Sequence, residues 1–244
     1  MRFPWRDILT EVIDVFFPSN CPVCSGPART EDGYFSCPAC LDQVSWVGST
    51  PCKYCGIPMQ APEYEGLICY NCRQQDHLFK RGRCMFLLDQ VGKQIIHSIK
   101  YKGSKEVLSD MPHWLKRVPQ FKEFLSGAHL VPVPLHRKRE ASRGFNQSLW
   151  IAQALEKEMG SAVQVADWMK RTKNTETQTR LEKKKRKNNV KNAFALKAGV
   201  CLDSVNRIIL IDDVFTTGAT LNACTEVWQD AGFDQVEVAT LGHG

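Results

Sequence analysis

The sequence predicts an α/β fold, a parallel sheet flanked by helices, fronted by a cysteine-rich module. Three observations predict it. Nine of the eleven cysteines in this 244-residue chain lie before residue 85. From about residue 80, short apolar runs alternate with amphipathic stretches, the pattern of strands joined by crossover helices. One run, "IILIDDVFTTGATL" at 208–221, ends in two acids and a Thr/Gly loop. In parallel sheets, ligands bind beyond the carboxyl ends of the strands. The chain is expected to divide into residues 1–78 and 79–244.

The opening stretch, "MRFPWRDILTEVIDVFFPSNC", places Trp5, Leu9, Val12 and Phe16 on one helical face, with Pro18 as the stop. Asp7, Glu11 and Asp14 interrupt it and no small-residue cleavage site follows, so it does not read as an export signal. No run of 18 apolar residues exists. No membrane insertion is expected, and the expected location is the cytoplasm.

Eight cysteines form four C-x-x-C pairs: Cys21/Cys24, Cys37/Cys40, Cys52/Cys55 and Cys69/Cys72. Two thiolates in a tight turn bind a tetrahedral zinc from one side, and a second turn closes it. The pattern points to two zinc sites. Each would be filled by four cysteines, hence structural, with Gly26 and Gly56 serving the turns. The competing reading, a disulfide framework, needs an oxidising compartment. Pairing is sequential or interleaved; sequential pairing closes the shorter loops. Residues 1–75 carry five basic and eight acidic side chains. With zinc tetrathiolates added, the module is a poor match for nucleic acid and reads as a fold-stabilising or partner-docking unit. Cys84, Cys201 and Cys224 stand in apolar contexts and read as core residues.

After the module, "RCMFLL" reads as a strand and "GKQIIHSIKYKG" as a helix closed by Gly103. "KEVLSDMPHWLKRV" reads as helical, with Pro112 weakening or breaking it. "HLVPVP" is a short strand. "FNQSLWIAQALEKEMG" has Phe145, Leu149, Ala152, Leu155 and Met159 on one face. "AVQVAD" and "NRIILID" read as strands, "LNACTEVWQDAG" as a helix and "QVEVATL" as a last strand.

In the opening motif, residues 208–211 are expected to form a central strand with Asp212 and Asp213 at its solvent-facing end, and a helix to start near Leu221. Backbone amides of a Gly/Thr loop at a helix N-terminus cradle an anion. Thr216, Thr217 and Thr220 add hydroxyls. The acids would repel a phosphate but suit a polyol or a metal. A ribose 5-phosphate fits both halves. No lysine follows Gly218, so this is not a Walker loop. A magnesium site of a phosphoryl-transfer or receiver domain, and a plain strand end, are less specific readings of the acid pair.

The motif closely resembles the ribose-phosphate-binding motif of the type I phosphoribosyltransferases. With "SIKYKGSKEV", "LVPVPLHRKREASRGFNQS" and "RTKNTETQTRLEKKKRKNNVKNAF", behind cysteine pairs, nearly the whole chain resembles the ComF/GntX branch of that superfamily. The resemblance implies a type I phosphoribosyltransferase-like core behind the zinc-binding module. It gives Asp212 and Asp213 the ribose hydroxyls, and Thr216, Thr217, Gly218, Ala219 and Thr220 the 5-phosphate. It gives pyrophosphate and magnesium to the loop after "VPVP", where Arg137, Lys138, Arg139 and Arg143 are in range. It also implies a long loop closing over the reacting groups, matched by residues 172–191, with Arg180 and Arg186 toward the leaving group.

The formal net charge is +6, but residues 170–191 alone hold ten basic and two acidic side chains. Attraction to an anion is therefore local. The implied ligand is 5-phosphoribosyl 1-pyrophosphate with magnesium, and the implied chemistry is displacement at its anomeric carbon; no residue stands out as a general base. The ComF resemblance further implies a cytoplasmic factor for natural transformation that handles incoming single-stranded DNA. Lys183, Lys184, Lys185, Arg186 and Lys187 would follow the phosphate backbone, against the plainer reading of a solvated surface. Phe145, Trp150 or Trp168 are candidates to stack bases, although the first two lie on an amphipathic helix, where core packing is the expected use. DNA-uptake machinery proteins are the expected partners of the zinc module. An active phosphoribosyltransferase of nucleotide metabolism and a non-catalytic ligand sensor are the alternatives.

Overall fold

The computed structural model describes residues 20–28, 35–48, 50–60, 66–101, 103–173, 192–202 and 205–244. The expected N-terminal helix lies outside the described residues, as do residues 174–191. Helices α1 (Pro38–Leu41) and α2 (Tyr70–Arg73) follow Cys37 and Cys69. Strand β1 (Gly82–Leu87) is followed by α3 (Gln90–Tyr101), a 3-10 helix (Lys105–Asp110), α4 (Met111–Arg117) and α5 (Pro119–Leu125). Next come β2 (Ala128–Pro132), α6 (Arg137–Arg143), α7 (Gln147–Met159) and β3 (Val163–Val165). Then come β4 (Met169–Arg171), β5 (Phe194–Leu196), β6 (Ile208–Phe215), α8 (Ala219–Asp230) and β7 (Val236–His243).

Five strands form one sheet in the order β1-β7-β6-β2-β3, every neighbouring pair parallel. β4 and β5 pair antiparallel beside it, flanking residues 174–191 in sequence. The "IILI" run suits a central strand because both its faces are buried. Ile209 and Ile211 enter one core with α3, α4 and α7; Ile208 and Leu210 enter the other with α8 and the β4–β5 ribbon. The expected parallel sheet flanked by helices is thus present. Among the described residues no helix is long and apolar enough to cross a membrane.

Local signals set the helix ends. Asn146 caps α7, its side chain accepting from the Ser148 N–H at 3.0 Å. Helix α7 therefore starts after Phe145, which leaves the expected core stripe. Pro112 does not break a helix. It sits in the first turn of α4, where its missing N–H costs nothing, and the residues before it take the 3-10 form. Cys84 and Cys224 are buried as expected, but Cys201 is exposed, because it falls in the connection after β5 rather than in a strand.

The cysteine module wraps the sheet edge. Cys21 and Cys40 join the α3/α7 core; Cys52, Cys55 and Cys72 join the α8 core. The β1 backbone is bound on both sides of this wrap: Val47 N–H donates to the Met85 carbonyl at 3.0 Å, Leu87 N–H to Ser45 at 2.9 Å and Gly82 N–H to Lys53 at 2.8 Å. An otherwise open edge strand is covered.

Candidate functional site

Topology puts the motif where parallel sheets open ligand crevices. From β2 the chain passes through α7 on one face to β3; from β6 it passes through α8 on the opposite face to β7. The direction of winding reverses between the neighbours β2 and β6, the position at which parallel sheets open a ligand crevice. The β2 ladder ends with Pro132 beside Ile211, and the Val133 N–H donates to the Ile211 carbonyl at 2.9 Å. Asp212 and Asp213 come next.

The strand does not stop at residue 211. It runs to Phe215 because β7 continues to pair beside it, with Asp212 opposite Thr240 and Val214 opposite Gly242. Asp213 is consequently not solvent-facing: it is 4% exposed, and its Oδ2 lies 2.9 Å from Lys100 Nζ in the last turn of α3. Burial opposes the Lys100 charge, but the Asp213 carboxylate outweighs it and holds the ammonium above its ordinary value. Asp212 is half-buried. Its Oδ1 accepts from Ser148 Oγ at 3.0 Å and from the Asp213 N–H at 2.9 Å. Burial, then the neighbouring Asp213 charge, pushes Asp212 up to about 7. One acid is charge-compensated by the chain, and the other is a carboxylate poised to gain or lose a proton near neutrality.

Thr216, Thr217 and Gly218 form the loop, and α8 starts at Ala219, slightly ahead of expectation. Gly218 adopts φ +68°, which glycine takes without strain, and a Cβ there would meet the Phe215 ring at 2.9 Å. No side chain caps α8 at Gly218; the Ala219 N–H makes a long 3.4 Å contact with Thr217 Oγ1. The acids and the loop therefore stand together at the winding reversal, with a helix N-terminus behind them.

The basic segment after "VPVP" is a helix, not a loop. His136 Nδ1 accepts from the Lys138 N–H at 3.2 Å, and Gly144 closes the end at φ +84°. Arg137 and Lys138 are exposed, and Arg139 and Arg143 half-buried. The helix follows β2 at the acid-bearing end of the sheet, and Asn146, past its far end, returns there, its Nδ2 donating to the Val133 carbonyl at 3.1 Å. Arg143 turns to Gln147 Oε1 at 2.7 Å. Arg180, Lys183, Lys184, Lys185, Arg186 and Lys187 lie outside the described residues.

Each cysteine set is assembled sequentially. The ligand atoms of Cys21, Cys24, Cys37 and Cys40 lie within 4.8 Å of one another, as do those of Cys52, Cys55, Cys69 and Cys72. The Cys37 N–H donates to Cys21 Sγ at 3.4 Å and the Cys69 N–H to Cys52 Sγ at 3.3 Å, the same contact in both halves. Burial opposes a thiolate at Cys21, but backbone amides of Cys24, Cys37 and Val23 outweigh it and lower that thiol to about 7. Donation from Cys55 and Cys72 lowers Cys52 as well. Four convergent sulfurs with no open position suit a structural tetrathiolate zinc. In the second turn Gly56 takes the left-handed backbone, φ +74°. In the first, Ser25 takes it at φ +60°, not the expected Gly26.

Lys100 and Ser148 touch the acids and had no role in the sequence reading; Arg171, counted there only among the cations of residues 170–191, is near enough to feel the Asp212 charge. Lys100 stands in "SIKYKG" and Ser148 in "RGFNQS", so the motif strings held them without showing what they touch. Arg171 on β4 is 8% exposed; burial, then Arg139, lowers its pKa, while the Asp212 charge raises it. Only the tertiary fold brings it to the acids.

The double zinc ribbon domain family matches residues 12–73. Competence protein F of Haemophilus influenzae is 29% identical over 91% of this chain and 96% of its own. DNA utilization protein YhgH of Escherichia coli is 27% identical over 92% and 96%. Competence protein ComFC of Bacillus subtilis is 26% identical over 76% and 74%. A solved hypoxanthine phosphoribosyltransferase from Staphylococcus aureus is similar at 17% identity and a TM-score of 0.35, over 57% of this chain and 64% of that one, too loose to argue from. Over most of its length the chain is thus similar to proteins named competence protein F, ComFC and YhgH, and its front matches a double zinc ribbon.

Proposed function

We propose that this protein handles incoming single-stranded DNA in the cytoplasm during natural transformation, and that its α/β part, residues 79–244, binds 5-phosphoribosyl 1-pyrophosphate with magnesium. The observation that carries the pocket is the joining of Asp212 and Asp213 to a Gly218-turned loop at the mouth of α8, at the winding reversal of the sheet. Asp212 would take the ribose hydroxyls, with Asp213 beside it. Thr216, Thr217, Gly218, Ala219 and Thr220 would hold the 5-phosphate. Arg137, Lys138, Arg139 and Arg143 would face the pyrophosphate, joined by Arg180 and Arg186. Magnesium would be held mostly by substrate oxygens with one carboxylate helping, and Asp212 is the acid open to that role. Lys183, Lys184, Lys185, Arg186 and Lys187 would follow the DNA backbone, and the zinc ribbons would dock uptake-machinery proteins.

The Lys100–Asp213 pair favours a ligand sensor over an enzyme of nucleotide metabolism. A sugar hydroxyl that takes Asp213 Oδ2 would compete with Lys100 for it, which would link the pocket to the end of α3. Calorimetric titration of phosphoribosyl pyrophosphate with magnesium, on wild type and Asp212→Asn, tests the pocket. Binding that weakens more than about tenfold in the variant supports it. Equal affinity in both, or no heat with wild type, removes the pocket. Pyrophosphate release with an added nucleobase would decide for turnover.

A further inference from the structure

A surface beside the ribose-phosphate crevice alternates aromatic rings and cations. Tyr101, the last residue of α3 and the neighbour of Lys100, is 62% exposed. The Arg143 guanidinium lies 5.5 Å from the Tyr101 ring centroid and 6.0 Å from that of Phe145. Phe145 stacks on Trp150, with centroids 3.9 Å apart and planes 10° from parallel. Lys105 covers Trp150 at 5.8 Å. Trp150 then walls an open cleft of about 440 Å³ between α7 and the 3-10 helix, with Lys105 and Lys157 among its lining residues.

Core packing accounts for only part of this arrangement: Trp150 packs on the edge of the α3/α7 core, and Phe145 does not join it. Phe145 precedes α7 rather than facing the core from it, and both it and Trp150 are only half-buried. Gly103 makes room for the pair, since a Cβ there would approach the Phe145 ring at 3.3 Å. Phe145 and Trp150 lie face to face, His97 lies against Tyr101 with ring centroids 5.0 Å apart, and Lys105 and Arg143 lie over the rings at the two ends of the row. Helix α6 adds exposed Arg137 and Lys138 next to this surface in sequence.

We propose that this aromatic and cationic track binds unpaired polynucleotide, with bases stacking on Tyr101 and the outer face of Trp150. Lys105 and Lys157 would swing to the phosphates. The chemistry is that of sequence-tolerant single-strand binding: every unpaired base offers a π-face, and each phosphate needs a cation. A duplex hides those faces in its own stack. The inference rests on the DNA-handling reading but gives it a surface distinct from Lys183, Lys184, Lys185, Arg186 and Lys187.

The test is fluorescence anisotropy of a labelled oligodeoxythymidylate of about 12 nucleotides with the full-length protein. Tyr101→Ala should weaken binding about tenfold and Tyr101→Phe should restore it. Lys105→Gln should lower the slope of log affinity against log salt by about 0.7. An oligouridylate that binds with the same Tyr101 dependence also supports the track and identifies RNA as a second source of the same bases. Unchanged affinity in Tyr101→Ala, or equal binding of a duplex, overturns the track. If wild type binds the oligonucleotide and only neutralising the 183–187 segment abolishes binding, the track falls while the DNA-handling reading stands. If wild type binds no single strand, both fall.

Discussion

Lys100 Nζ stands 2.9 Å from Asp213 Oδ2, so the chain itself neutralises one of the two acids that close the central strand. The pair is largely buried, and a charge left behind there has little water to turn to. Lys100→Met should therefore destabilise the protein by about 2–3 kcal/mol, less than a fully buried pair because the lysine keeps some solvent contact. Adding Asp213→Asn should recover part of the loss. Urea unfolding of the two single variants and the double variant measures the coupling; strict additivity would show that the contact carries no energy.

Asp212, raised to about 7 by burial and then by Asp213, makes the site pH-dependent. Its folded-state value lies above the ordinary carboxylate value of 3.8. Between pH about 4 and about 7 the folded chain keeps a proton that the unfolded chain has lost, so this group's contribution to stability declines as pH rises through that window. Asp212→Asn should raise the melting temperature at pH 8, with the gain fading toward pH 4. A ligand that needs the carboxylate should bind more weakly as pH falls from 8 to 6, approaching tenfold per unit. Melting curves and titrations at those pH values check both; a pH-independent variant difference would contradict them.

The second cysteine set is tied to the Thr/Gly loop. Asn222 of α8 accepts from the Leu78 N–H at 3.1 Å and donates to the Asp76 carbonyl at 2.8 Å, while Phe79 meets the Phe215 ring edge-on at 6.3 Å. Cys55→Ser should release one of the two zinc equivalents and loosen this clamp. Metal analysis and hydrogen exchange should report the metal loss together with faster exchange over residues 215–222. Full zinc retention would refute the site, and metal loss with a quiet loop would refute the coupling.

Gly218→Ala probes the loop backbone. At φ +68°, with its Cβ 2.9 Å from the Phe215 ring, alanine should cost about 1–2 kcal/mol and shift the loop. Denaturant midpoints measure the cost. A variant as stable as wild type would show that the turn tolerates a side chain.

Much of the architecture was legible because it rests on local pattern. Paired apolar faces in "IILI" announce a central parallel strand, and C-x-x-C spacing announces metal turns. Elsewhere a local cue misled. The run "HRKREASR" looked like a cationic loop, yet a histidine cap and a closing Gly144 wind it into a helix. Aspartates after an apolar run suggested a strand tip, but pairing depends on the neighbour, and β7 carries β6 on to Phe215.

Taken alone, the sequence determined the sheet, the cysteine turns and the acid-to-loop string, because each depends on residues close along the chain. Tertiary structure decided what those residues touch. It set the sequential closure of the two cysteine sets, and it brought Lys100 onto Asp213, Ser148 onto Asp212 and the second ribbon onto α8. These contacts join positions far apart in sequence. Their partners are chosen by how helices and strands stack around two cores, which no short stretch of residues encodes.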